Sequence, residues 1–121
     1  MSAANYLSLA DLTAAQEEDV TEYKFPCDDT KTVRVKSVTV SRMKQYTESA
    51  KKGGLVEKRA QCALIAESCV GLDNKPIWSV EELYNAVSAM KTRWFNSLVK
   101  LVAAHNGAED EVEEVDQTEK N

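Results

Sequence analysis

The sequence is poor in the residue types that catalytic and metal sites use most. It has one histidine, three cysteines and four glycines in 121 residues. A single histidine, His105, makes a nucleophile–base–orienter triad hard to assemble. Cys62 and Cys69 lie seven residues apart, which is not metal-ligand spacing, and Gly53-Gly54 begins no phosphate-binding or dinucleotide-binding motif. We therefore expect a protein that is not an enzyme and has no catalytic, cofactor-binding or metal-binding residues.

Long apolar runs and a secretion signal are also missing. The longest apolar runs, residues 63–66 and 101–104, have four residues each, far fewer than a bilayer span requires. Residues 1–5 contain neither the basic nor the apolar part of a signal peptide. Three cysteines leave one unpaired in any intramolecular scheme, which favours a reducing cytosol. We expect a cytoplasmic protein that does not associate with membranes.

The charged residues are strongly segregated along the chain, although the net charge is only −5. Residues 1–30 carry a net charge of −6, residues 31–62 carry +7, residues 63–106 are neutral, and residues 107–121 carry −6. A basic centre between acidic ends can be neutralised within one molecule or between neighbouring molecules. The pattern argues against a simple nucleic-acid binder, because the acidic ends would cancel part of its positive potential.

The first half of the chain predicts a short helix, a β-hairpin and a longer helix. Ser8 precedes a candidate helix over residues 9–16. Residues 20–25 and 33–38 alternate between apolar and polar side chains, and the turn-forming residues 26–30 separate them, so we expect a hairpin. From residue 40 the apolar residues recur every three to four positions. This period predicts a helix over 40–52, capped by Ser37 or Thr39 and ended by Gly53-Gly54.

A second long helix is predicted over residues 55–70, with Leu55, Cys62, Leu64 or Ile65, and Cys69 facing inward. Its end, residues 65–70, either stays helical or extends towards the turn that follows. We expect Cys62 and Cys69 to be buried free thiols.

Residues 71–83 combine several boundary signals. Asp73-Asn74 favours a turn, and Pro76 restricts the backbone before it. Ser79 and Glu82 have the spacing of a capping box, with Trp78 and Leu83 placed as a hydrophobic staple. A helix should therefore begin at residue 80.

The most amphipathic helix is predicted after Ser88 and ends at Asn106-Gly107. Its apolar stripe contains Met90, Trp94, Leu98, Leu101 or Val102, and His105, and is widened by Phe95 and Val99. We expect His105 to cap this helix or to interact with its dipole. Residues 107–121 contain seven acids and few apolar residues, so we expect a disordered tail. The whole pattern predicts a mainly helical α+β fold: a single domain over residues 1–106, with residues 1–20 as a candidate mobile arm.

Two groups of residues are candidates for partner binding. The basic group contains Arg34, Lys36, Arg42 and Lys44. The apolar group contains Trp94, Phe95 and Leu98. Tyr46 is the only aromatic residue within the basic segment, so the stacking part of a single-strand nucleic-acid surface is missing. We therefore expect no nucleic-acid binding. Tryptophan and phenylalanine are common both in cores and at interfaces, and the sequence leaves both roles open.

The order and spacing of five segments resemble the tail assembly chaperones of long-tailed bacteriophages. The segments are Leu7–Leu12, a proline-containing turn before Val33–Thr39, a helix end at Leu64–Val70, the turn at 71–79, and Ser88–Met90 leading into Trp94–Leu98 and closing on Asn106-Gly107. The sequence departs from the family pattern in having Asn74 where glycine is expected, no Trp-Gly-Gly at 26–30, and Arg42 where a capping-box glutamate would follow Thr39.

The resemblance implies a non-enzymatic function in the infected cell. Such a chaperone binds the tape-measure protein, keeps it soluble and helps to recruit tail tube protein. It self-associates, works in the host cytoplasm and is absent from the mature virion. Many members have a longer form made by ribosomal frameshifting, and Lys120-Asn121 is compatible with a slippery AAA-AAC sequence. Two other hypotheses remain open at this point: a nucleic-acid-associated adaptor that uses residues 31–62, and an inert partner-binding module of host origin.

Overall fold

Two strands near the N-terminus form the predicted antiparallel hairpin. In the computed structural model, which describes residues 6–14 and 20–107, β1 spans Val20–Phe25 and β2 spans Asp28–Lys36. The turn is shorter than the predicted break at 26–30, because Asp28–Thr30 belongs to β2. The register is irregular there: Lys24 pairs with Thr32, whereas Phe25 pairs with Asp28. Residues 29–31 therefore lie between two paired positions of β2. The Asp28 carboxylate accepts hydrogen bonds from the Thr30 amide (3.1 Å) and hydroxyl (2.6 Å), which stabilises their conformation.

A short third strand completes the sheet. β3 is Cys69–Val70, antiparallel to β2, and the strand order is β1-β2-β3. The end of the predicted helix over 55–70 is therefore extended at its last two residues. Together with five α-helices in the described residues, the sheet makes a small α+β domain, as predicted.

The helices follow the predicted order with changed ends. Their bounds are α1 Leu9–Ala14, α2 Val40–Ala50, α3 Gly54–Ser68, α4 Val80–Ala86 and α5 Thr92–His105, with a 3-10 turn at Val87–Ala89. Among the described residues, no helix has both the length and the apolar character needed to cross a membrane. Parts of three predicted segments lie outside the described residues. They are residues 15–16 of the first helix, residues 1–5 and 15–19 of the mobile arm, and residues 108–121 of the tail.

The hydrogen bonds at the helix starts show which of the predicted caps are formed. Thr39 caps α2, since its hydroxyl accepts a hydrogen bond from the Arg42 amide (3.1 Å). Ser79 and Glu82 form the predicted capping box of α4. The predicted start at Ser88 is wrong: Ser88 lies in the 3-10 turn, Met90 is extended (ψ 149°), and α5 begins only at Thr92.

The core lies between the sheet, the C-terminal half of α3 and the inner faces of α4 and α5. It contains Val35, Cys62, Leu64, Ile65, Ala66, Cys69, Leu83, Phe95 and Val102. Leu55 was predicted to face inward, but it is 74% exposed because it lies in the first turn of α3, beside the corner with α2. The two candidates Leu64 and Ile65 are both buried.

The end of α5 is attached to the hairpin. His105 Nδ1 is hydrogen-bonded to the Tyr23 hydroxyl (2.7 Å), and His105 Nε2 to the Ser37 hydroxyl (3.1 Å). The Asn106 side chain accepts a hydrogen bond from the Val38 amide (2.9 Å) and donates one to the Val102 carbonyl (3.0 Å). His105 therefore joins two distant parts of the chain, in addition to lying at the helix end where the sequence predicted a capping role.

Candidate partner-binding groove

An apolar groove of about 440 Å³ lies between the hairpin and the first half of α5. Its wall is formed by aromatic and aliphatic side chains with two lysines and a threonine. The lining residues are Phe25, Lys31, Thr32, Val33, Trp78, Met90, Lys91, Trp94, Phe95 and Leu98. We refer to this surface as the groove.

Contacts at the hairpin turn hold β1 and β2 beside α5. The Phe25 ring packs edge-on against the Trp94 ring, with centroids 5.1 Å apart and planes at 64°. Aromatic rings prefer this arrangement to a face-to-face stack. The Cys27 thiol, in the turn itself, donates a hydrogen bond to the Ser97 hydroxyl (3.3 Å). These contacts fix the width of the groove at its hairpin end.

The α5 side of the groove follows from helical spacing. Trp94 and Leu98 are four residues apart and so lie along one face of α5, and Met90 joins them from the extended segment before the helix. All three are half-buried, whereas Phe95 is only 4% exposed and belongs to the core cluster. The predicted stripe therefore has two parts: Phe95 and Val102 fill the core, while Met90, Trp94 and Leu98 face the groove.

The charged side chains at the groove are lysines. Lys31 and Lys91 line it and are exposed, and the Lys91 ammonium lies 5.6 Å from the centre of the Trp94 ring. The Lys58 ammonium lies 4.8 Å from the centre of the Phe95 ring. Both contacts are cation–π interactions. No carboxylate is among the described residues that line the groove, so the groove suits an apolar segment that carries acidic residues.

Arg34, the first of the predicted basic candidates, is used within the chain. Its guanidinium donates hydrogen bonds to the Gly71 carbonyl (3.1 Å), the Glu22 carboxylate (2.8 Å) and the Asn74 side-chain oxygen (2.6 Å). Asn74 adopts a left-handed conformation (φ 62°), which asparagine tolerates better than most residues. Arg34 therefore connects the hairpin to the turn at 71–74.

The other basic candidates also lie away from the groove. Arg42 forms an ion pair with Glu67 and donates a hydrogen bond to Gln45 (3.1 Å). Lys36 is half-buried in β2 and Lys44 is exposed on α2. The structure thus brings together Trp94, Phe95 and Leu98 of the seven predicted residues, and places Arg34, Lys36, Arg42 and Lys44 elsewhere.

Several lining residues were not identified from the sequence. Trp78 was interpreted as a staple or core residue, and Phe25 as part of a strand. The signal that could have indicated them is their position beside turns; Trp78 is half-buried there, whereas Phe25 is only 7% exposed. Lys31 and Lys91 carried no distinguishing pattern, because their role depends on the approach of the hairpin to α5.

A second cavity, of about 430 Å³, lies between α2, α3 and α4. Two arginines line it, and both are paired: Arg42 with Glu67, and Arg59 with Glu81. The Arg59 guanidinium also lies 5.0 Å from the centre of the Tyr84 ring. Since these cations already have partners, this cavity is a weaker candidate than the groove.

The two cysteines of α3 and β3 are buried free thiols, as predicted. Burial raises the pKa of the Cys62 thiol and raises that of Cys69 to about 12. Both thiols are therefore protonated and unreactive near neutral pH. Within residues 6–14 and 20–107, no group of three or more histidine, cysteine, aspartate or glutamate residues is arranged to hold a metal ion.

Comparison with known proteins adds no relative: no family model, curated protein or solved structure matches this chain.

Proposed function

We propose that this protein is a tail assembly chaperone of a long-tailed bacteriophage, and that the groove binds apolar segments of the tape-measure protein. The observation that carries the proposal is the groove itself, an apolar surface with a cationic rim on a small domain. It agrees with the role implied by the sequence resemblance, since a chaperone that keeps a long partner soluble must cover that partner's apolar segments.

The physical basis of binding is the burial of apolar surface. Burial of a leucine-sized side chain contributes about 1.5–3 kcal/mol. Trp78, Met90, Trp94 and Leu98 provide large contact surfaces, of which the tryptophans and methionine are types enriched at interfaces. The rim lysines then select segments that carry acidic residues and accelerate their association.

The remaining parts of the proposal come from the resemblance. The protein is non-enzymatic, recruits tail tube protein, self-associates, and works in the host cytoplasm without entering the mature virion. A longer form arises by frameshifting near Lys120-Asn121, which the gene sequence tests directly: a slippery heptamer followed by an overlapping reading frame is expected.

The binding proposal is tested by co-expression with the tape-measure protein encoded beside it, followed by a pull-down. The wild-type chain should keep the tape-measure protein soluble and be recovered with it. The double charge reversal Lys31→Glu/Lys91→Glu should reduce recovery at least about fivefold, because it gives the rim the wrong sign for an acidic segment.

The matched control is Lys75→Glu/Lys100→Glu, which changes two exposed lysines outside the groove. It alters the net charge by the same amount and should leave recovery unchanged. No soluble complex with the wild-type chain, or an equal loss with both double variants, would contradict the proposal.

The adaptor hypothesis for residues 31–62 makes a different prediction. The ion pairs of Arg34, Arg42 and Arg59 with carboxylates reduce the positive charge that this segment offers to a nucleic acid. The adaptor hypothesis expects oligonucleotide binding that is lost in Lys36→Glu/Lys44→Glu and kept in Lys75→Glu/Lys100→Glu, whose lysines lie outside residues 31–62. The chaperone proposal expects no such binding.

A further inference from the structure

Residues 6–14 are a described part of the predicted mobile arm of residues 1–20, and from here on we call this part the arm. It presents several large apolar side chains to solvent. Tyr6, Leu7, Leu9 and Leu12 are 83%, 73%, 77% and 60% exposed. Single exposed apolar residues are ordinary, but four within seven positions form a patch, and such patches mark interaction sites.

The arm is also locally ordered as a short helix. The Ser8 amide donates a hydrogen bond to the Asp11 carboxylate (2.9 Å), and the Asp11 amide donates one to the Ser8 hydroxyl (3.1 Å). This reciprocal arrangement is a capping box. Its two hydrogen bonds also lower the pKa of Asp11. The arm is therefore prepared as an amphipathic segment of negative charge.

Within one chain the arm and the groove do not meet. The arm side chains are exposed, and the groove lining residues Trp94 and Leu98 remain half-buried. β1 runs from Val20 towards the turn, so the arm would have to double back along β1 to enter its own groove. A second copy of the chain meets no such restriction.

The charges of the two surfaces are complementary. Residues 6–14 contain one acid, Asp11, and no lysine or arginine, and the sequence adds three acids at positions 17–19. The groove is lined by Lys31 and Lys91, with Lys58 against its buried Phe95. Opposite charges steer encounter and fix the orientation in which two surfaces meet.

We infer that the arm of one copy docks in the groove of a second copy, with Leu9 and Leu12 against Trp94 and Leu98. This inference rests on the proposed function and deepens it: the arm of a second copy occupies the groove while no tape-measure segment is bound, so self-association and tape-measure binding use the same surface in turn. A nine-residue segment covers less than the roughly 1,200 Å² of a standard stable interface. The arrangement is therefore reciprocal, and each copy provides one arm and one groove.

The test measures self-association of the purified full-length chain by sedimentation velocity over a range of concentrations. Leu9→Ser/Leu12→Ser should raise the dissociation constant roughly 100-fold or more, since it removes two apolar anchors from the interface. Both positions are exposed, so the variant should fold as well as the wild type. The control Val40→Ser/Leu72→Ser alters two side chains that are 88% and 87% exposed elsewhere, and should leave association unchanged.

Intrinsic fluorescence provides a second readout. The chain has two tryptophans, and both line the groove. Their emission should shift to shorter wavelength as the wild-type chain associates. In Leu9→Ser/Leu12→Ser the emission should stay at the wavelength measured for the dilute wild-type chain.

Three outcomes would overturn the inference. A wild-type chain that stays monomeric at high concentration excludes docking between copies. Association that is equally strong in Leu9→Ser/Leu12→Ser excludes the arm. An emission difference between wild type and variant that does not depend on concentration shows that the arm occupies its own groove. These measurements contain no tape-measure protein, so their failure leaves the pull-down result intact, and failure of the pull-down leaves them intact.

Discussion

Three hydrogen bonds from the Arg34 guanidinium hold the turn at 71–74 against the hairpin. Their acceptors are a backbone carbonyl, a carboxylate and a side-chain amide oxygen, and they lie in three different directions. Only a guanidinium presents donors with this geometry, and a lysine ammonium cannot reproduce it. A residue that looks like a binding cation in the sequence is therefore a structural connection.

Arg34→Lys should lower the free energy of unfolding by about 1–3 kcal/mol, because it leaves the Gly71 carbonyl and Asn74 oxygen without their charged donor. Urea denaturation followed by circular dichroism measures the effect. Lys44→Met, on the exposed face of α2, is the control and should change stability by less than about 0.5 kcal/mol. Equal effects of the two substitutions would contradict the structural role of Arg34.

Cys69 makes the folded chain sensitive to alkali. Its pKa is about 12 in the folded protein, against an ordinary thiol value of 9.0. A group whose pKa is raised on folding stabilises the protein fully below its unfolded pKa and loses that contribution as the pH rises towards the folded value. We expect stability to fall between about pH 9 and 12, with up to about 1.4 kcal/mol lost per pH unit from this residue.

Cys69→Ala removes the titrating thiol and should flatten this part of the pH profile, although the smaller side chain lowers stability at neutral pH. Thermal melts of both proteins at several pH values measure the two effects separately. A profile as steep in the variant as in the wild type would exclude the Cys69 thiol as a cause.

At the scale of the elements, local signals predicted most helix starts correctly. Ser79 caps α4 together with Glu82, and Thr39 caps α2. The hydrogen bonds of both caps join residues three positions apart, so the local sequence is sufficient to predict where these helices begin. Ser88 has the same residue type but lies in a 3-10 turn, because the chain bends into extended backbone at Met90 before α5 begins. That bend reflects packing, which a local pattern does not encode.

Substitution at the two serines distinguishes a real cap from an apparent one. Ser79→Ala should destabilise the protein by about 1 kcal/mol, since the Glu82 amide loses its acceptor. Ser88→Ala should have an effect near zero, because Ser88 is exposed and does not cap α5. Chemical denaturation of the two variants under the same conditions makes the comparison, and the reverse order of stabilities would contradict these assignments.

The candidate site was less predictable than the elements. Helical spacing placed Trp94, Phe95 and Leu98 on one stripe, and in the structure all three line the groove while Phe95 also belongs to the core. Phe25 and Trp78 join them only because the hairpin and the 71–79 turn approach α5, and such long-range contacts leave no periodic signal. The third strand, Cys69–Val70, is equally a product of its pairing with β2.

At the scale of the whole molecule, the segregated charges and the exposed arm predict a specific response to salt. The Glu22–Arg34 ion pair neutralises part of the opposite charge within one chain. Attraction between copies therefore depends on the remaining exposed charges, which are screened beyond about 10 Å at 0.1 M salt. Apolar docking of the arm is not weakened by salt.

We expect the dissociation constant for self-association to rise roughly tenfold between 0.05 and 0.5 M sodium chloride, with substantial association remaining. Sedimentation velocity at a series of salt concentrations measures this. Complete dissociation by 0.2 M salt would mean that charge alone holds the copies together, whereas no salt dependence would remove the acidic and basic segments from the interface.

The bonds of His105 and Asn106 have a consequence for synthesis of the chain. Tyr23 and Ser37 lie 82 and 68 residues before their histidine partner. Contacts over such distances form late in folding, because closing the long intervening loop costs chain entropy before the contact stabilises it. One wall of the groove belongs to the hairpin, and the other belongs to α5, more than fifty residues later in the chain. Under the proposed function, a chain truncated before α5 lacks that wall and should not bind the tape-measure protein.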